Sequence, residues 1–507
     1  MALDLDSYRQ SAERFSEELD REYYLHLAGH KRELEIAPIY ERYAALFGRD
    51  AVEGLREAAE RLQTPAGAKF GDEGRRTRYL LDFAVHGHLG RATHAQSARL
   101  AELEAALELE LDSERISYRG APIAQANEPG AERRQAIAEA RDALVVEHLN
   151  PFHREVLERS HELARELGWE SYLEMCAQLS GIDLAELAER TRVLRSRTDG
   201  AYPELLDPEL RRQGLPALGE LRRSDLPRFF RAAGLDGSFP RAALVAAFTD
   251  TLAGLGVNVS EQPNVHLDTD SRRTKSPRAF CSVPRVPEEI YLVVAPIGGR
   301  DDYAALFHEG GHAEHYAHVD AGLPFEYRHL GDNSVTESFA FLLEGLTSDP
   351  AWLESRLGVG DPEPVAAHAR AVKLVMLRRY AAKLDYELEL HGPAVDLGAM
   401  PARYSELLSG ATRVQWPQAT WLSDVDPGFY AARYLRAWTL ETTWRRSLTE
   451  RFGERWFESS DAGSWLRDLW RRGQRLPADE LVAESLGEEL DFAGLAAELA
   501  SSGSNAG

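Results

Sequence analysis

Along most of this chain apolar residues return at intervals of three and four, and that period commits it to helices. Stretches such as RFSEELDREYYLHLAGHKRELEIAPIYERYAALF and ERRQAIAEARDALVVEHLNPFHREVLERSHELARELG place their Leu, Phe, Tyr and Val on one face of a helix. From Ser7 to about Gly200 the pattern reads as successive amphipathic helices. Breaks are expected where Gly, Pro, Asn and Asp gather, at Gly48 to Asp50, Thr64 to Gly67, Ala126 to Gly130 and Gly200 to Asp207. No internal repeat is evident. No run approaches 18 apolar residues, and the first residues lack a basic start followed by an apolar core. The expectation is a cytoplasmic protein with no membrane partner.

The texture changes between Val257 and Pro296, where SPRAFCSVP and EEIYLVVAP are short, rich in aromatic and β-branched residues, and bounded by prolines. Two or more short strands are predicted there. Helical periodicity resumes at Asp301 and runs to about Leu499, interrupted near Gly392 to Gly398 and Trp416 to Gly428. The organisation read from this is an N-terminal helical region over 1–256 and a second region over 257–499. Within the second lie a small sheet (257–296), a helix at 301–319 and another at 334–347. Residues 500–507, SSGSNAG with the alanine before it, are expected to be a disordered tail.

A chain of 507 residues, 44% of them hydrophobic, buries a large core without staples. Cys176 and Cys281 stand far apart, outside any CxxC spacing, so neither a disulfide framework nor a cysteine-ligated metal is supported. The formal charge of -24 is spread along the chain, which argues against nucleic acid as a partner.

The most chemical segment is DDYAALFHEGGHAEHYAHVD. His308 and His312, four residues apart on a helix, present two imidazoles on one face at a separation that chelates one metal. Glu309 lies beside that metal, placed to take a proton from an activated water and hand it to a leaving amine. Asp301 and Asp302 are candidates to cap the helix. Two mid-helix glycines, Gly310 and Gly311, cost about 1 kcal/mol each relative to alanine, so they imply close approach of another backbone or a substrate.

A catalytic zinc needs a third protein ligand. Glu337, in LGDNSVTESFAFLLEGL, is one candidate, although Ser334 to Glu337 equally fits a capping box that would fold its carboxylate onto a backbone amide. His318, ten residues after His308, is a second candidate, at the spacing of HExxHxxGxxH. That arrangement needs a glycine at 315, where this chain has a histidine. His315 and His318 read better as supporting or surface residues.

FHEGGHAEH, followed by Glu337 25 residues after His312, resembles the thimet oligopeptidase and oligoendopeptidase F family of gluzincin peptidases, with the angiotensin-converting-enzyme-like peptidases a close second. The resemblance is strongest from Pro277 to Leu346. It implies one zinc ion held by His308, His312 and Glu337, and a large, mainly α fold with a deep cleft and a small sheet beside the metal helix. It also implies a strand, here Ala279, Phe280 and Cys281, lining that cleft; an ordinary edge strand packing Phe280 into the core is the alternative. By the same resemblance Tyr434 on PGFYAARYLRAWTLETTW would support the oxyanion, with Tyr430 one turn earlier and Arg433 adjoining; core packing is the alternative for these aromatics.

Two departures stand out. The family's histidine before the oxyanion tyrosine is missing, since none follows His391, and Asp424 and Asp426 occupy its neighbourhood. Phe341 stands where a polar residue usually orients a metal histidine, and Glu344 or Asp332 are possible substitutes. The implied activity is hydrolysis of short, unstructured oligopeptides. A carboxypeptidase or dipeptidyl carboxypeptidase is the alternative within enzymes, with Lys275, Arg278 or Arg433 to hold a terminal carboxylate. A helical protein that binds zinc or peptide but has lost efficient catalysis is the alternative outside them.

Overall fold

The computed structural model describes residues 3–62, 71–111 and 114–501, so the break expected at Thr64 to Gly67 lies outside the described residues. So does the expected tail, apart from its first two residues, which close the helix Phe492–Ser501. The fold is mainly α, with two small sheets. No helix among the described residues is long and apolar enough to cross a membrane.

The chain forms two compact units, each assembled from separated segments. The first comprises Met1–His88, Leu235–Ala366 and Arg436–Asp491; the second comprises Leu89–Gly234, Ala367–Leu435 and Phe492–Gly507.

In the first unit the N-terminal helix Leu5–Leu27 starts on Asp4, whose carboxylate accepts the N–H groups of Asp6 and Ser7. The period that reads as helix beyond Leu27 is cut at Gly29. Its φ of +80° suits glycine, and a Cβ there would sit 2.8 Å from the backbone nitrogen of Lys275. This helix packs on a three-stranded sheet of order β3-β5-β4, built from β3 (Val265–Asp268), β4 (Phe280–Arg285) and β5 (Glu289–Val293). β5 runs parallel to β3 and antiparallel to β4, with Cys281 opposite Leu292, and β4 is an edge. Ile290, Leu292 and Val293 are buried, as expected of a central strand.

Aromatic side chains clamp the helices behind that sheet. Phe307 meets Phe248 and Trp352 edge-on at 5.3 and 5.1 Å, and the Trp352 indole N–H donates to Thr251 Oγ1 at 2.9 Å. Phe339 stacks on Trp444 at 6.3 Å and meets Trp470 at 6.1 Å. Such pairs contribute about 0.5–1.5 kcal/mol each beyond the area they bury, which holds the helices carrying His308 and Glu337 in fixed registration.

The second unit is helical around one antiparallel hairpin, β1 (Glu108–Leu111) with β2 (Glu114–Ser117). This hairpin corrects the expectation of successive helices from Ser7 to about Gly200. Leu109 and its neighbours alternate rather than recur at three and four, and Leu109 enters a cluster with Leu100, Tyr118, Ile137, Val145 and Leu149. The break expected at Gly200 to Asp207 is also corrected: the helix Ala201–Arg212 runs through it. Pro203 falls in its first turn, where the missing N–H has no partner to lose. Arg134 and Asp225 form a buried ion pair at 2.6 Å, and the guanidinium also donates to the carbonyls of Glu128 and Pro129. That satisfies the charge on every side.

Candidate metal centre

The helix Arg300–Ala317 carries the two histidines, and the helix Asn333–Leu346 carries the glutamate. What brings them together is glycine. A Cβ on Gly311 would fall 2.5 Å from the carbonyl oxygen of Phe339 and 2.6 Å from Ala340 Cα, so the two helices touch backbone to backbone. A Cβ on Gly310 would fall 2.3 Å from the Phe248 ring. The glycine pair therefore serves the approach of a neighbouring helix and its packing.

Neither helix starts as the sequence suggested. Asp301 and Asp302 sit inside the first turn rather than at the cap, which is Gly299. Asp302 instead turns its carboxylate back to the N–H groups of Ile297 and Gly298, at 2.8 Å each, and so ties the incoming loop. The second helix is capped by Asp332, which accepts the Ser334 N–H at 3.0 Å, and there is no capping box. The Glu337 carboxylate faces the histidines.

His308 Nε2 lies 3.5 Å and His312 Nε2 3.7 Å from Glu337 Oε2, and one ligand atom from each of the three residues lies within 4.8 Å of the others. Among the described residues this is the one group of three or more such side chains so placed. The far nitrogen of each ring is also held. His308 Nδ1 lies 2.8 Å from Glu344 Oε2, and His312 Nδ1 lies 2.8 Å from Thr336 Oγ1. A carboxylate can only accept, so Glu344 places the proton of neutral His308 on Nδ1 and leaves the Nε2 lone pair facing Glu337. Two imidazoles and a carboxylate with this orientation fit a zinc ion.

Charge follows from the same contacts. Burial opposes the His308 imidazolium, but the Glu344 hydrogen bond and the carboxylates of Glu344, Glu337 and Glu309 outweigh it and push the ring up to about 9. Burial and the nearby His308 hold His312 well below its ordinary value. The first position attracts a cation and the second stays a neutral donor.

Glu309 is fixed by the sheet. The backbone N–H of Cys281, on the edge strand β4, donates to Glu309 Oε2 at 2.9 Å. Burial raises the Glu309 carboxyl above its ordinary value, with His308 and the Cys281 amide partly compensating, which makes it a stronger base than a solvated glutamate. Ala279 is buried and Phe280 half-buried beside it.

The two other histidines of the segment stand apart from the cluster. His318 is the helix C-cap, and its Nδ1 meets the Glu314 carbonyl at 2.8 Å. His315 is fully buried between Tyr316 and Phe339, so it belongs to the core rather than to the surface.

Lys275 is not available to hold a substrate carboxylate. Its ammonium, buried, has four acceptors at 2.8–3.0 Å: the carbonyls of Asp268, Asp270 and Val294 and the Asp268 carboxylate. It clips the loop after β3 onto the end of β5. Arg278, at the head of β4, is exposed.

Tyr430, Arg433 and Tyr434 belong to the second unit. Tyr434 meets Tyr430 edge-on at 5.0 Å and Tyr380 at 5.4 Å, and Arg433 lies over the Tyr430 ring at 5.9 Å. Asp424 and Asp426, which occupy the place of the missing histidine, face Lys383 at 3.9 and 2.7 Å. They are ion-pair partners there, with Arg379 also on Asp424.

Sequence reasoning missed Thr336 and the Cys281 amide. Thr336 was hidden inside an apparent capping box, and a backbone amide leaves no mark in a sequence. No family model matches this chain, and a search of curated proteins finds no match.

Proposed function

We propose that this protein is a zinc-dependent metallopeptidase acting on short, unstructured peptides. The observation that carries this reading is the convergence of His308, His312 and Glu337, beside a Glu309 whose carboxylate is fixed by the Cys281 amide. A purely structural metal site has no use for a buried, strand-anchored carboxylate next to its ligands.

His308, His312 and Glu337 would hold a divalent ion, which would supply Lewis acidity for a peptide carbonyl and an attacking water. Glu309 then takes the proton of the attacking water on its carboxylate and delivers it to the departing amine. The Cys281 N–H keeps that carboxylate aimed during both transfers. Glu344 and Thr336 hold the two rings with Nε2 inward. Ala279 to Cys281 are assigned to the substrate wall on the family resemblance, with the Cys281 N–H reserved for Glu309.

Lys275, saturated by its own loop, drops out as a holder of a terminal carboxylate, which leaves the carboxypeptidase alternative to Arg278 or Arg433. Glu344 fills the place that Phe341 left open, which removes one of the two departures behind the binding-protein alternative.

The test is mass spectrometry of a pool of roughly 5- to 20-residue peptides incubated with zinc-loaded protein beside Glu309→Gln. Internal cuts by the wild type, reduced by about 10²–10⁴ in the variant, are expected. No cleavage by either protein at stoichiometric zinc would leave a metal-holding binding protein as the better reading.

A further inference from the structure

The turn that starts the helix Tyr430–Phe452 is held in a costly conformation by side chains that the metal centre does not use. Gly428 and Phe429 have φ of +65° and +56°, and an aromatic residue enters that left-handed region only where its surroundings impose it. Both residues are buried. The Gly428 N–H donates to the Tyr172 hydroxyl at 3.1 Å, and the Phe429 ring stands edge-on to His391 at 5.2 Å. His391, just past the helix Glu363–Leu390, lies 4.6 Å from the Tyr172 ring, so both contacts converge on one imidazole.

That imidazole is paired with another. His391 Nδ1 and His161 Nε2, on the helix Asn150–Glu166, are 2.8 Å apart, so one ring donates and the other must accept through an unprotonated nitrogen. The closed pair therefore holds at most one extra proton, whereas two separated rings take two. His391 Nε2 is buried with no hydrogen-bond partner among the described residues, so an imidazolium there would bury an unpaired N–H. His161 is half-buried, which gives solvent protons a way to the pair. Burial and Arg165 push His161 down to about 4 against Glu158, and burial and His161 hold His391 well below its ordinary value.

The other charged groups packed around the turn keep their charge in mild acid. The Asp426 N–H donates to Glu387 Oε1 at 3.0 Å, and its carboxylate pairs with Lys383 at 2.7 Å. Burial pushes Glu387 up to about 8, so it stays largely protonated. Against burial, Asp424, Glu387 and Asp426 raise Lys383, and Arg379 and Lys383 hold Asp424 below its ordinary value. Burial raises the Tyr172 phenol, and Cys176 follows it one turn along the same helix.

We propose that His161 and His391 form an acid-operated catch on the Pro427–Phe429 turn: the neutral pair keeps the strained turn closed, and proton uptake by the two rings opens it. The catch is independent of the metal centre. Opening carries Phe429 away from His391 and uncovers a ring that then titrates as in water, so acid favours the open form. The helix beyond begins with Tyr430, Arg433 and Tyr434, whose mutual packing follows the state of the turn.

Hydrogen exchange of the full chain at Gly428, Phe429 and Tyr430, read by fragmentation mass spectrometry and divided by the intrinsic rate at each pH, tests the catch. Protection of these amides is expected to fall by at least about 20-fold between about pH 7.5 and 5, the linkage from a single released ring. The helix Leu184–Arg197, in the same unit, is expected to change by less than about threefold. His161→Gln and His391→Gln each keep a hydrogen-bonding side chain but lose one titrating ring. Each is expected to shrink the fall, and the double substitution to abolish it. The wild-type titration stands by itself should a variant fail to fold. Constant protection in the wild type, an equal loss across Leu184–Arg197, or an undiminished fall in the double variant would each overturn the catch.

Discussion

Glu344, on the same helix face as Glu337, and Asp332 are the two candidates in the sequence to replace the polar residue that Phe341 displaces, and the geometry separates them. Glu344 reaches His308 Nδ1 at 2.8 Å, whereas Asp332 caps its own helix and pairs with Arg436 at 2.6 Å. Phe341 keeps a packing role, edge-on to His308 at 5.3 Å and stacked on Trp438. Glu344→Gln is therefore expected to weaken zinc binding by about 10- to 100-fold, while Asp332→Asn leaves zinc affinity within a few-fold and lowers the melting temperature; titration and thermal unfolding of both variants check this. An unchanged zinc affinity in Glu344→Gln would mean that the ring is held by packing alone. The ligands themselves were legible because a four-residue spacing on a helix is a local fact. Thr336 and the Cys281 amide were not, because their roles depend on which turn of one element meets which turn of another.

The approach of two helices decides whether the centre exists at all. Gly310 and Gly311 read from the sequence as costly residues in need of a reason, and the reason is contact with Phe248 and with the Phe339–Ala340 backbone. Gly311→Ala regains about 1 kcal/mol of helix propensity but meets backbone, which cannot turn aside, at a cost of about 1–3 kcal/mol. The expected result is a protein of equal or lower stability whose zinc affinity falls, because the helices part where Glu337 faces His308 and His312. Gly310→Ala meets a ring, and its effect on zinc should be the smaller of the two. Equal zinc affinity in both variants would show that the helices can separate without moving the ligands. The remainder of the fold was legible wherever periodicity ran unopposed, as at Leu5–Leu27 and Arg300–Ala317. It failed where composition and packing disagree: ELEL is made of good helix formers yet pairs as β1, because Leu109 has a core to enter and Glu108 and Glu110 have solvent. At Gly29 the helix ends because the chain behind it, at Lys275, comes too close for any side chain.

Over the whole molecule, buried ionisable groups set how stability depends on pH, and they pull in opposite directions. Burial pushes His161 down to about 4 and His315 and His329 to about 3, from an ordinary 6.5. Unfolded, these rings take up protons as the pH drops below 6.5; folded, they refuse them until about 4 or 3, so each costs stability as the pH falls through that window. Burial pushes Glu314 up to about 7 and Glu387 to about 8, from an ordinary 4.5. Those carboxyls keep a proton in the folded chain that the unfolded chain has released, so each costs stability as the pH rises from 4.5 toward its raised value. Each full proton of difference is equivalent to about 1.4 kcal/mol per pH unit. Between 4.5 and 6.5 the two sets largely cancel; below, the histidines act alone, joined by carboxylates such as Glu289, whose hydrogen bonds to Tyr291, Arg21 and Arg285 overcome burial and hold it below its ordinary value. Above, the glutamates are joined by His308, whose raised value lets the folded chain keep a proton that the unfolded chain has released, and the charge of -24 adds self-repulsion. The denaturant midpoint is therefore expected to be highest between about pH 4.5 and 6.5 and to fall on both sides. Glu387→Gln should flatten the alkaline fall, and His161→Gln the acid one. Midpoints that climb steadily from pH 6.5 to 8 would mean that Glu387 ionises on the ammonium of Lys383, 4.0 Å away, and that attraction within the pair outweighs the burial that isolates it.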